Sequence, residues 1–294
     1  MDEIDFIFLK KLLENSRLTY RELGEITNMS VSAVHKRIKN LEEAGIIDGY
    51  IARPSIVTLK YLWVLIFGTS NANSMGAVSK ELSQHESVKA IAMAGNKFFY
   101  ISSYLRNISE LQEFSNYVSK AAQISEPTVG IINMPYITEP EPLTVIDYKI
   151  LKSLNKDSRK SITDVADDTG LSPKTVRKRL DRMIENNLAE FTIELRLLYK
   201  DCFVNIFHLF LNEGSNINST FKYISEKYSQ NFSHCLSYSN IPNFITLHTW
   251  AKSPQDSQMI QEELQTEGFK DIVPHIFLSV GYYDCWLDQL LRTK

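Results

Sequence analysis

The chain has 294 residues, 44% of them apolar and 23% charged, with a net charge of −3. That length exceeds one ordinary core and predicts about two domains' worth of chain, and the composition excludes a disordered polymer. The longest strongly apolar run, Tyr61–Gly68, is far too short to cross a bilayer, and the acidic N-terminus has no secretory signal pattern, so a cytoplasmic protein is expected. Cys202, Cys235 and Cys285 form an odd set without CxxC spacing, which predicts thiols in a reducing compartment rather than a disulfide framework.

The charge is unevenly placed. Residues 1–55 carry −1, residues 145–200 carry +3, and the rest carry −5. Whole-chain charge therefore says little about partners.

The first element is a helix marked by Ile4, Phe8, Leu9 and Leu12 at helical spacing. Thr19-Tyr-Arg-Glu22 reads as a capping box that opens a short second helix, and Ser30 as the N-cap of a third. The segment from Gly45 to Leu59 reads as extended. Next come a strand (61–68), a helix (74–84), a hairpin (88–94 and 97–104), a helix (108–122) and a strand (128–134). The proline-rich PYITEPEPLT reads as a linker.

The pattern then repeats. Shifted by 142 residues, Ile4–Ile47 overlies Ile146–Ala189 without a gap, with 13 identities in 44 positions. These include Asp5/Asp147, Ser16-Arg17/Ser158-Arg159, Ser30/Ser172 and Lys36-Arg37/Lys178-Arg179. An internal duplication accounts for this. Ser161-Ile-Thr-Asp164 repeats the capping box, and Ser172-Pro173 places a cap before a proline at the first helical position. The stretch 187–198 reads as extended. Strands at 203–211, 233–239, 244–251 and 272–280, with helices at 219–228 and 254–267, reproduce the βαββαβ order.

The predicted fold is therefore α+β: two winged helix-turn-helix domains alternating with two ferredoxin-like sandwiches. The expected boundaries are 1–58, 59–135, a linker at 136–144, 145–200, and 201–294 with a C-terminal segment. In a ferredoxin-like module one sheet face stays open. Both open faces carry aromatic and aliphatic residues, so the two modules are expected to pack on each other as an intrachain pseudo-dimer. Two such chains are further expected to form a homodimer through the aromatic-rich segment Tyr282–Leu291 with Trp286.

A set of residues in the first copy resembles the Lrp/AsnC family of bacterial and archaeal transcription regulators. They are Ile4-Asp5, Asn15-Ser-Arg17, Glu22-Leu23, Met29-Ser30, Val34, Arg37-Ile38, Leu41-Glu42 and Gly45-Ile46-Ile47 with Gly49-Tyr50. The second copy keeps IDYKIL and TGLSPKTVRKRL but has Asn187 in place of Gly45. The resemblance implies binding of double-stranded DNA and a small-molecule effector held near the turn between the second and third sandwich strands. It departs from the family in its tandem form, since typical members are half this length.

In each third helix the apolar side must face the core and the polar side the major groove. Val34, Ile38 and Leu41 turn inward, leaving Ser30, Ser32, His35, Lys36 and Lys39 as DNA-facing candidates. In the second copy Val176, Leu180 and Met183 turn inward, leaving Ser172, Lys174, Thr175, Arg177, Lys178 and Arg182. Residues 172–186 carry +3 and residues 30–44 carry +1, so the second head should contribute more phosphate affinity. Arg177 and Arg182 are candidates for guanine contact. Arg17, Arg159, Arg37 and Arg179 are expected to brace the domain or touch phosphate.

Candidate effector residues are Gly95 and Asn96 in one turn and Ser239 and Asn240 in the other, although neither turn keeps an acidic group for an amino-acid ammonium and Gly95-Asn96 suits a hairpin turn. The tandem architecture also resembles fused sirohaem decarboxylases, which use histidines near a tetrapyrrole. His208, His248 and His275 are metal or tetrapyrrole candidates on neighbouring strands. The stretches after the third helices (48–59 and 189–200) hold no histidine, and no nucleophile–base set or phosphate loop is present. A regulator without catalytic residues, metal or cofactor is the expectation.

Overall fold

The computed structural model describes residues 1–134, 142–196, 203–228 and 234–293. The expected linker therefore falls, up to residue 141, outside the described residues, as do Cys202 and the last residues of the second predicted wing.

The chain opens with α1 (Glu3–Glu14), α2 (Tyr20–Thr27) and α3 (Val31–Glu43). Thr19 and Glu22 form the expected capping box, and Ser30 Oγ accepts the Ala33 N–H at the start of α3. Strand β1 (Ile47–Pro54) ends at a one-turn helix, α4 (Ile56–Leu59), because Ser55 caps it and supplies an acceptor for the Thr58 N–H. The extended reading of this stretch thus fails at its last turn.

The first sandwich follows as β2 (Leu62–Thr69), α5 (Met75–Leu82), β3 (Val88–Ala94), β4 (Phe98–Leu105), α6 (Leu111–Ala122) and β5 (Thr128–Ile131). A 3-10 turn at Ile108–Glu110 leads into α6. The second winged helix comprises α7 (Val145–Leu154), α8 (Ile162–Thr169), α9 (Pro173–Glu185) and β6 (Ala189–Leu195). Last come β7 (Phe203–Phe210), α10 (Ile217–Lys227), β8 (His234–Ser237), β9 (Phe244–Ala251), α11 (Pro254–Gln265), β10 (Asp271–Tyr282) and α12 (Trp286–Thr293).

These elements form two compact units. One contains residues 1–60, 136–196 and 287–294, and the other contains 61–135 and 197–286.

In the winged-helix unit, each copy contributes one wing strand, and the two strands pair with each other. β1 and β6 run antiparallel from Gly49↔Glu194 to Pro54↔Ala189, with a bulge between Ile47 and Gly49. Each wing then lies against the other copy's first helix. The Ser16 N–H donates to the Phe191 carbonyl and Thr192 Oγ1 to the Leu13 carbonyl. On the other side, the Ser158 N–H donates to the Tyr50 carbonyl and Asn155 Nδ2 to the Ala52 carbonyl. The cause is backbone satisfaction. A lone strand leaves its N–H and C=O groups without ladder partners, and the duplicate supplies a matching edge. At the centre of this junction Ser16 Oγ and Ser158 Oγ meet at 2.5 Å, both fully buried.

The C-terminal helix corrects two expectations. Leu291 is buried in the core of the second winged helix with Ile150, Leu151, Val176 and Leu180, and Asp288 lies 3.6 Å from Arg53. Residues 287–294 thus group with the winged helices rather than with the second sandwich. Within the sandwich unit, Trp286 Nε1 donates to the Tyr104 carbonyl and its ring meets Tyr61 edge-on. Much of the segment expected as a dimer surface is therefore covered within its own chain: Leu287 and Leu291 are buried at helical spacing, while Tyr282 stays exposed.

In the sandwich unit the eight strands follow the order β5-β2-β4-β3-β10-β7-β9-β8, two ferredoxin-like sheets joined where β3 pairs with β10. The opposite edges meet at the Ile132↔Tyr238 bridge, so the ring closes. Strand alternation divides the residues. Val64, Ile66, Phe99 and Ile101 pack under α5 and α6, and Phe207, Leu209, Ile245 and Leu247 join the core of the second module with Ile224, Ile260 and Leu264. The other face carries Phe67, Phe98, Tyr100, His208, Phe244 and Phe277, whose rings interlock between the sheets. The expected pseudo-dimer is present, with edge pairing added to face packing. Gly130 permits the second edge. A Cβ there would stand 2.3 Å from the Tyr238 ring.

Candidate nucleic-acid interface

The helix-turn-helix of each copy is built from the N-cap outward. Ser30 and Ser172 adopt extended backbone and accept from the third residue of α3 and α9, and Pro173 starts α9 where its missing N–H costs nothing. Val34, Ile38 and Leu41 are buried, as are Val176, Leu180 and Met183, so the opposite faces point to solvent.

Ser30, Ser32, His35, Lys36 and Lys39 are exposed on the first head, and Ser172, Lys174, Arg177 and Lys178 on the second, with Thr175 partly so. Lys39 is drawn to Glu43 at 3.5 Å, an i,i+4 pair visible in the sequence spacing.

Arg182 departs from its assignment as a base reader. Its Nη1 lies 3.0 Å from Asp147 Oδ2 and its Nη2 donates to the Pro142 carbonyl. Asp147 is fully buried and also takes Arg179 at 3.6 Å, so both arginines neutralise a carboxylate that would otherwise be stranded in the domain. The first head does the same with Arg37, which binds Asp5 at 2.8 Å and Asp2 at 2.9 Å. The identities Asp5/Asp147 and Arg37/Arg179 across the repeat were the signal for this brace.

Arg17 and Arg159 are occupied as well. Arg17 donates to the carbonyls of Ser158 and Lys160, and Arg159 to that of Ser16 at 2.8 Å. Arg159 also sits over the rings of Tyr20 (4.9 Å) and Tyr50 (5.3 Å). These arginines tie the two copies together. With them spent, the outward cations of the recognition helices are Lys36 and Lys39 on α3, Lys39 facing Glu43, and Lys174, Arg177 and Lys178 on α9. The charge difference read from the helices thus keeps its sign but is smaller at the surface.

The suggested effector turns have other work. Asn96 and Lys97 both have φ near +55° and Phe98 N–H returns to the Gly95 carbonyl, a two-residue hairpin turn of the primed type. Asn240 accepts the Ile131 N–H and donates to the Val129 carbonyl, while the Ser239 N–H donates to the Ile131 carbonyl. Ser239 and Asn240 thereby clamp the closing edge of the ring.

His208, His248 and His275 gather between the sheets. His208 Nε2 meets the Tyr100 hydroxyl at 2.8 Å, and its ring stacks on His275 at 5.0 Å. Burial first, and the neighbouring His275 second, push His208 down to about 3, so it is neutral at pH 7. His248 is driven down to about 3 by burial, then by His234 and His208. A bulge between Phe277 and Ser279 shifts the alternation of β10, so that Ser279 does not share a face with His275. Among the described residues no cluster of three or more His, Cys, Asp or Glu is arranged to hold a metal. No helix among them is long and apolar enough to cross a membrane.

Comparison with known proteins agrees with this geometry. A family model described as winged helix-turn-helix DNA-binding matches twice, at residues 1–48 and 143–190. An uncharacterised HTH-type transcriptional regulator of Pyrococcus furiosus is 32% identical over 123 residues, 41% of this chain and 83% of the relative. The HTH-type transcriptional regulator LrpA of Pyrococcus horikoshii is 30% identical over 135 residues, 45% of this chain and 96% of its own length. Over the full length, the fold is similar to that of the siroheme decarboxylase NirDL, with a TM-score of 0.63, 13% identity, and coverage of 99% and 98%. That last likeness speaks to the tandem fold alone. With a relative matched over most of its length and the winged helix found twice, the chain belongs to the Lrp/AsnC family of HTH-type transcriptional regulators, in tandem-duplicated form.

Proposed function

We propose that this protein is a sequence-specific DNA-binding transcription regulator whose two unequal winged helices act from one chain. The observation that carries this reading is the pair of capped recognition helices in one unit. Each turns an exposed polar face to solvent, while the inner arginines are neutralised within the fold. Lys174, Arg177 and Lys178 supply phosphate attraction and base contact at the second head, and Lys36, Lys39, His35 and Ser32 at the first.

Binding to a selected duplex, followed by fluorescence anisotropy across salt concentrations, tests the reading. Replacing Arg177 and Lys178 with Ala should weaken binding more than replacing His35 and Lys36, and should flatten the salt slope by about 2. Equal losses from the two pairs would remove the asymmetry. Absence of sequence preference at moderate salt would remove the reading itself. Two chains associate as a homodimer in this proposal, so light scattering should give twice 33.8 kDa, and a mass of 33.8 kDa would refute it. Effector control has the least support, since both candidate turns are engaged in hairpin and edge geometry.

A tetrapyrrole enzyme is the second reading, favoured by the full-length likeness to a siroheme decarboxylase. Against it, His208 and His275 are stacked in an aromatic core with Tyr100 and Phe98. A porphyrin-like absorbance on the purified protein, combined with loss of DNA selectivity, would decide for the enzyme.

A further inference from the structure

α3 and α9 are equivalent residue by residue at an offset of 142, and their outward positions divide into shared and divergent ones. Lys36 and Lys178 occupy the same turn and are both exposed. Ser32 stands where the second head has Lys174, and His35 where it has Arg177, and all four are exposed. Positions three apart on a helix lie on one face, so each pair forms the centre of its reading surface.

The two central side chains are held differently. His35 packs edge-on against Tyr20, with ring centroids 5.1 Å apart and planes at 72°, and Tyr20 is itself covered by Arg159. In the second head Ile162 replaces Tyr20, and among the described residues no carboxylate pairs with Arg177. An uncommitted guanidinium can donate two parallel hydrogen bonds to O6 and N7 of guanine. An imidazole carries its two nitrogens on divergent sides of the ring and cannot make that two-donor fork.

Resting on the regulator reading above, we propose that the His35/Arg177 position sets the asymmetry of the operator. Arg177 reads a guanine in the half-site under α9, and His35 leaves the equivalent base pair under α3 without that requirement. Lys36 and Lys178 serve both half-sites alike. The chain consequently has a direction on its DNA.

Selection from a randomised duplex library with full-length wild-type protein, His35→Arg and Arg177→His tests this. Both side chains are exposed, so both variants should fold, with His35→Arg giving up only the Tyr20 ring contact; thermal unfolding of each beside the wild type checks this. Within the stretch contacted by one chain, the wild type should yield guanine at one of the two positions under α3 and α9. His35→Arg should yield guanine at both, and Arg177→His at neither. Replacing that guanine by 7-deazaguanine, which removes N7, should weaken the wild type by roughly tenfold and leave Arg177→His unchanged. Guanine at both positions for the wild type, or retained guanine preference in Arg177→His, would overturn the assignment. If the wild type selects no sequence, the regulator reading falls, and this assignment with it.

Discussion

Acidification should loosen the sandwich unit through His208, by an amount the structure allows to be worked out. His208 is 5% exposed, and its ring neighbours are Phe67, Phe98, Tyr100, Phe210, Phe244 and His275. None is a carboxylate, so nothing there compensates an imidazolium. The folded-state value is about 3 against 6.5 for a free imidazole, so between these values the unfolded chain binds more protons than the folded one. Stability from this group is therefore complete above pH 6.5 and is lost as pH falls towards 3. Between pH 7 and pH 5 the loss is about 2 kcal/mol for this one side chain. His208→Gln keeps a hydrogen-bonding partner for Tyr100 and cannot titrate. Urea unfolding at the two pH values, followed by tryptophan fluorescence, should show the wild type losing about 2 kcal/mol more than the variant. An equal pH dependence in both proteins would refute the argument that His208 is buried neutral in this core.

Two further perturbations probe the devices that join the copies. Gly130→Ala would drive a Cβ to 2.3 Å from the Tyr238 ring, and the closing edge should be destabilised by about 1–3 kcal/mol in the same denaturation assay. An unchanged midpoint would mean the β5–β8 edge opens at little cost. Asp147→Ala should cost about 2–3 kcal/mol, since it leaves Arg179 and Arg182 together without their buried carboxylate. Asp5→Ala should cost about 1 kcal/mol, because Arg37 retains Asp2 at 2.9 Å. Circular dichroism melts that rank the two variants the other way would contradict the brace.

Much of this protein is written in local sequence signals. Thr19 with Glu22, Ser30 and Ser172-Pro173 mark helix starts by side-chain chemistry that acts within four residues, so they can be read without knowing the fold. The burial of Val34, Ile38 and Leu41, and of their counterparts, follows from helical spacing alone. The duplication is a comparison of the chain with itself. It carries the tandem architecture and the charge difference between the two heads.

What only the tertiary structure decided are the long-range pairings. The sequence reads 45–59 and 187–198 as extended, but it does not name the partner of a lone strand. The exchange of wings depends on the edge that the other copy presents. Arg182 looks identical in sequence to a groove-facing arginine, and a buried aspartate 35 residues earlier claims it. Ser239 and Asn240 look like a ligand turn, yet the unpaired edge of β5 recruits them. Leu287 and Leu291 offer apolar side chains to any partner, and their own chain supplies the nearest cover. In each case the local pattern leaves a backbone edge, a charge or an apolar face unsatisfied. The group that satisfies it is distant in sequence and becomes known only when the chain has folded.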